Sequence, residues 1–302
     1  MQSPSRRAFL SGRRTQGSPW DTFLARLHRV AEGRVYDFST PMGSARLIPQ
    51  HMQDVYRARA LCLEFGVCLA LDGVPHASRL EDQPVLWVEP GHEMERYERL
   101  GPGDPRWFVQ PGCMIGQLEQ AGLPQFRDQP PHLTVAAWLA DRSLCDWDFR
   151  NTAASGLVHA LVLLADGTQA NLGAFGTDNR KPLDNLRVQR MVSSLFELGS
   201  GEAVAGLRQG ACWNGRYRLD ALQATGSQPL NLAHLLLGHG GELGWVEWLV
   251  FDERLGEPLQ RDYADRFGQR PGSAVADTAL VQEVKALFDP DCLFPAHAQQ
   301  FS

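Results

Sequence analysis

From Trp20 onward, stretches whose apolar residues recur at helical spacing alternate with short, nearly continuous apolar runs. Phe23, Leu24, Leu27 and Val30 mark one face of a helix over 20–30, with Asp21 in its first turn. Leu47-Ile48-Pro49-Gln50 is expected to open a second helix, running from about Met52 to Phe65 and closing at Gly66. Val67–Leu71 reads as a strand, and Asp72–Ser78 as the loop after it. Val85–Val88 and Trp107–Gln110 are further strands, Met114–Gln120 is a helix, and Thr134–Ala140 is a Thr-capped, alanine-rich helix start. Leu157–Ala165 and Thr168–Leu172 form a hairpin about Asp166-Gly167. The stripe Leu186, Val188, Met191, Val192, Leu195, Phe196 and Leu198 predicts a helix ending at Gly199. A last helix is expected over 276–288.

The stretch 208–250 organises the second half of the chain. Two short helical pieces, carrying Leu219 and Leu222 and then Leu232 and Leu235–Leu237, flank a break at Gly226–Pro229. Gly238, Gly240, Gly241 and Gly244 follow, and then a buried strand from Val246. Glycines so dense serve either a tight helix-to-strand turn or a close backbone approach to a ligand.

Gly215-Arg216-Tyr217-Arg218-Leu219 and Gly238-His239-Gly240-Gly241-Glu242-Leu243 resemble two elements of FAD-linked oxidases of the vanillyl-alcohol oxidase type, those with a PCMH-type FAD-binding domain. The D-lactate dehydrogenase and glycolate oxidase branches are the nearest in wording. Thr134-Val135-Ala136-Ala137-Trp138-Leu139-Ala140 resembles the family's Thr-x-Gly-Gly-x-x-Ala segment, with alanine at both glycine positions. Lys285-Ala286-Leu287-Phe288-Asp289-Pro290 resembles its C-terminal signature. The resemblance runs from about Leu47 to Pro295. It implies an α+β fold of two α/β subdomains gripping an extended FAD. Subdomain one would cover about 20–90 and subdomain two about 105–250, with a C-terminal helix returning over 276–295. The cap domain would be truncated, since only Asp252–Val275 stands in its place.

By resemblance, FAD would be held non-covalently by Asp72, Gly73, Val74 and His76, by Thr134, Val135, Ala136 and Ala137, and by Gly238, Gly240, Gly241 and Val246. Backbone N–H groups in such turns can cradle a pyrophosphate. Pro75 removes one donor, and each alanine adds a methyl where the family has none. Thr134–Ala140 therefore stays open between a pyrophosphate turn and a plain helix start. No catalytic base can be named. His159 and His234 lie in apolar segments and read as structural, while His132 and His239 are the other candidates.

Composition narrows the field. The 302 residues are 43% hydrophobic and 21% charged, as in ordinary globular proteins. A net charge of −6 argues against nucleic-acid binding. No apolar run reaches the roughly 20 residues a bilayer requires. The six cysteines lack metal-ligand spacing and read as reduced thiols of a cytoplasmic protein, with no metal site. Residues 1–19 read as a flexible basic tail. Ser5–Leu10 resembles a twin-arginine export signal, but Arg13 and Arg14 interrupt the apolar region that export needs. Two functions follow from the resemblance. One is an FAD-dependent oxidoreductase, a subunit or relative of glycolate- or D-lactate-type oxidases, beside a larger oxidase or iron–sulfur subunit. The other is a non-catalytic descendant serving as a binding or assembly module without flavin.

Overall fold

The structure, a computed structural model, describes residues 17–74, 80, 82–175, 183, 185–210, 212–223, 230–259 and 278–296. The basic tail before residue 17, His76, the break at Gly226–Pro229, most of Asp252–Val275 and residues 276–277, where the last helix is expected to begin, lie outside them.

The architecture is α+β, built on two main sheets. The first has the order β1-β2-β4-β3, from β1 (Arg34–Asp37), β2 (Ser44–Ile48), β3 (Cys68–Leu71) and β4 (Val85–Val88). β2 and β3 run parallel to β4, and β1 is antiparallel to β2. Helices α1 (Pro19–Val30) and α2 (Met52–Phe65) pack with it. Ser18 and Asp21 form a capping box that starts α1. Gly66 ends α2 in the left-handed conformation, at φ 64°.

Leu47 and Ile48 do not begin a helix. They end β2, where Ala45 and Leu47 are buried and Ser44, Arg46 and Ile48 half-buried. That period of two is a strand signal, and helix α2 starts only after Pro49.

The second sheet has the order β11-β8-β7-β12-β6-β5 and is antiparallel throughout. Its strands are β5 (Tyr97–Arg99), β6 (Arg106–Val109), β7 (Leu157–Leu163), β8 (Gln169–Phe175), β11 (Leu230–Asn231) and β12 (Trp245–Asp252). A separate two-residue ribbon pairs β9 (Arg208–Gln209) with β10 (Cys212–Trp213). The Asp166-Gly167 turn joins β7 and β8 as expected, with Gly167 at φ 90°. Helices α3 (Ile115–Gln120), α4 (Val135–Ala140), α5 (Leu186–Gly199) and α6 (Thr278–Phe288) complete the described elements that matter here. The two leucine-bearing pieces at 219–222 and 232–236 are short 3-10 turns.

Two apolar cores result, and α4 belongs to both. Ala136 and Ala140, four apart on one helical face, pack into the first core with Leu71, Val74 and Trp245. Val135, Trp138 and Leu139 pack into the second. A polar clamp also ties the subdomains. Tyr56 of α2 donates to Glu247 of β12 at 2.8 Å, and Gln169 of β8 donates to both. Burial and the Glu247 carboxylate push the Tyr56 phenol up to about 12. Four cysteines are buried and Cys212 and Cys292 exposed, all as free thiols. No described helix is long and apolar enough to cross a membrane.

Candidate functional site

Helix α4 is the point on which the sequence-predicted residues converge. Thr134 caps it, its Oγ1 accepting from Ala137 N at 3.2 Å. The first N–H groups of a helix normally lack partners and so suit an anion. Here Val135 N donates to Cys113 O at 2.8 Å and Ala136 N to Pro111 O at 3.1 Å. The Pro111–Cys113 turn before α3 thus takes the donors that a phosphate would need. Val135, Ala136 and Ala137 are buried.

The loop after β3 lies against the same turn of α4. A Cβ built on Gly73 would stand 3.3 Å from the Ala137 methyl, with Gly73 at φ +85°. Gly73 N donates to the Asp72 carboxylate at 2.9 Å, and that carboxylate also pairs with Arg46 at 2.9 Å. Val74 is buried in the first core.

At the other end of α4 the glycine turn supplies the caps. Gly238 N donates to Leu139 O at 2.7 Å and Gly240 N to Ala140 O at 2.8 Å. Both glycines are left-handed, at φ 74° and 68°. A Cβ on Gly238 would meet the Arg142 backbone at 2.8 Å, and one on Gly240 would lie 2.0 Å from the Arg216 guanidinium. Close packing within the protein accounts for these two glycines. Gly241 is also left-handed, at φ 71°. Val246 is buried in β12, paired with Val162.

The three turns therefore meet at one helix, yet five of the expected phosphate donors already have protein acceptors. As placed, Val135, Ala136, Ala137, Gly238 and Gly240 leave no free amide for a pyrophosphate. Gly73 lies against Ala137 in α4, and the Gly238 and Gly240 amides end on its last carbonyls. Nearby, a cavity lined by Arg216, Tyr217, Leu280 and Val284 measures about 10 Å³, room for one water.

The family-like motifs instead build a buried ionic knot that sequence reasoning did not foresee. Glu242, fully buried, receives Arg216 Nη2 at 2.7 Å, Arg216 Nε at 3.1 Å and the Tyr217 hydroxyl at 2.8 Å. Arg216 Nη1 also donates to Gly238 O at 3.0 Å. Burial opposes the Arg216 charge, and the Glu242 carboxylate reverses that, leaving its pKa raised. Burial first, then Glu242, holds the Tyr217 phenol well above its usual range. Lys285 of α6 donates to Glu242 O at 2.6 Å and pairs with Asp289. Asp289 in turn accepts from Leu293 N and Phe294 N, each at 2.9 Å. The signal lay in the quoted motifs, since every charged member of the knot falls within one of them.

His234 is buried and held at both ring nitrogens. Nε2 donates to Leu157 O at 2.8 Å, so Nδ1 accepts from the Thr152 hydroxyl at 2.8 Å. Burial lowers its pKa to about 4, leaving it neutral at physiological pH. His159 stacks on Trp248 and His132 is exposed. No group of metal-binding side chains stands together among the described residues.

No family model matches the chain, and no curated protein matches it. Solved structures similar to it include a Physcomitrella patens BBE-like 1 protein, at 11% identity and TM-score 0.43, covering 77% of this chain and 44% of that one. A 4-ethylphenol oxidase from Gulosibacter chungangensis is similar at 13% identity and TM-score 0.45, covering 80% and 43%. An Acremonium strictum glucooligosaccharide oxidase with a novel flavinylation is similar at 13% and 0.43, covering 81% and 43%. The chain spans less than half the length of each of these proteins.

Proposed function

We propose that this chain has the two-subdomain architecture of PCMH-type flavin-binding proteins and works without a resident flavin, as a non-catalytic binding or assembly module. One observation carries the reading: the amides of Val135, Ala136, Ala137, Gly238 and Gly240 all end on protein acceptors. Freeing buried amides for a ligand forfeits roughly 1 kcal/mol for each bond broken, before any strain in moving α4. The partner would be a larger oxidase or iron–sulfur subunit. The test is the visible spectrum of the purified full chain, before and after incubation with FAD and gel filtration. A colourless protein that retains no FAD is the expected result. Flavin absorbance that co-elutes with the chain would overturn it.

A second reading has its own support. The loop at Asp72–Val74 and the glycine turn at 238–240 lie at the two ends of one helix between two sheets, a placement suited to a dinucleotide held by both subdomains. On that reading the chain is an FAD-linked oxidoreductase subunit acting with glycolate- or D-lactate-type 2-hydroxy-acid oxidation, and the cofactor brings the redox chemistry. The same spectrum decides between the two.

A further inference from the structure

Many ordered arginines of this protein end on a carboxylate: Arg99 on Glu253, Arg106 on Asp104, Arg187 on Asp166 and Arg218 on Asp220. Arg150 and Arg208 do not. Their guanidinium carbons stand over one ring, that of Phe149, at 4.9 and 4.6 Å from its centroid. Phe149 stacks in turn on buried Trp213, with centroids 6.1 Å apart and planes at 22°. Arg150 Nη2 donates to Gln223 Oε1 at 3.0 Å, and Arg208 Nε to Gly210 O at 3.1 Å. The other guanidinium N–H groups of both have no acceptor among the described residues, and both residues are exposed. Two like charges thus lie against one ring, each with donors to spare. Like charges so placed repel, and an anion bound by both would offset that.

Backbone geometry adds a second feature at this place, one shared with Ser39, Asp128 and Cys292. Arg150 is left-handed at φ 63°, a conformation uncommon outside glycine. It is held there by its own N–H, which donates to the Asp220 carboxylate at 3.2 Å. Asp220 is buried and receives the Arg218 guanidinium through two nitrogens. Strain of this kind persists where the surroundings enforce it, and it concentrates at ligand contacts.

We infer that Phe149, Arg150 and Arg208 form an oxyanion-binding site, taking a carboxylate or a phosphate group through paired guanidinium donors. The inference deepens the reading of the chain as a binding module and rests on it for the ligand's being external. Planar guanidinium forks suit both anions, and charge-assisted bonds are the stronger kind.

Calorimetric titration of the full chain, with inorganic phosphate and separately with an acetylated triglutamate amide, tests it. Saturable binding of at least one probe is expected. Phosphate alone would identify a small-anion site, and the peptide alone an acidic partner segment. Arg150→Gln and Arg208→Gln should each weaken binding about tenfold, and Arg208→Lys should restore part of the loss. Arg150→Gly relieves the left-handed strain, so it should hold or raise Tm while binding still falls. Equal binding by wild type and all variants, or no saturable heat with either probe, would overturn the site. Neither result depends on the flavin spectrum, which is read on the protein without these probes.

Discussion

The junction at α4 and the knot around Glu242 are neighbours, joined through the turn from Gly238 to Glu242, yet they are built from opposite materials. The junction is largely apolar: alanine methyls, a glycine against a methyl, and amides taken by nearby carbonyls and the Thr134 hydroxyl. The knot is charged: Arg216, Glu242, Lys285 and Asp289 satisfy one another and several backbone groups out of water. Both contain motifs that resemble ligand chemistry in the sequence, and in both the polar groups named above have partners within the protein. Glycines and charged residues near a buried turn identify a ligand site only if their polar atoms remain unspent. At α4 five amides are spent, and in the knot the charges are.

The largest expected effect breaks the knot. Glu242→Gln would leave the Arg216 charge largely buried beside a neutral amide. Removing one partner of a buried ion pair costs about 3–5 kcal/mol, because the remaining charge is uncompensated. Urea unfolding should show that loss, and Arg216→Met combined with Glu242→Gln should recover much of it in a double-mutant cycle. Strict additivity of the two changes would mean that Arg216 and Glu242 are not coupled in the folded protein.

A middling effect comes from pH. His234 is buried neutral, its pKa lowered from 6.5 to about 4. Between those values the unfolded chain takes up a proton that the folded one refuses. Stability is therefore intact above about pH 6.5 and falls as pH drops toward 4. The loss attributable to this residue is about 3 kcal/mol. Denaturant titrations across that window should show this slope in wild type and its reduction in His234→Gln. Parallel slopes for the two proteins would exclude His234 as the cause.

How much of this could be read from the chain alone differs by element. The Asp166-Gly167 hairpin and the Gly66 helix end were legible because a local rule fixes them: φ is positive at both glycines. The α5 stripe was legible from spacing. β1 was missed, since Arg34–Asp37 is a mostly exposed edge strand with little apolar content to mark it. Leu47-Ile48 was misread because Pro49 suggests a helix start, although the alternation from Ser44 to Ile48 was already a strand pattern. The convergence on α4 could be anticipated from motif order. The fate of its amides could not, because the acceptors Cys113 O and Pro111 O arrive from a turn more than twenty residues upstream. Pairing across such a distance is decided by tertiary packing, which local pattern does not encode.

The smallest effect bears directly on whether the junction is as full as it looks. Ala137 is buried, and its methyl faces Gly73 at a distance that a single added carbon would make tight. Ala137→Leu adds three carbons where α4 and the loop after β3 already touch. Overpacking a filled site costs about 1–3 kcal/mol, through displaced backbone or off-rotamer side chains. The urea midpoint should therefore fall while the slope with denaturant stays constant, the mark of a stability change without a change in compactness. An open groove would behave differently: the leucine would enter it, cover apolar surface and leave the midpoint unchanged or higher. That second outcome would return the space between Gly73 and Ala137 to a ligand, and with it the flavin reading of this fold.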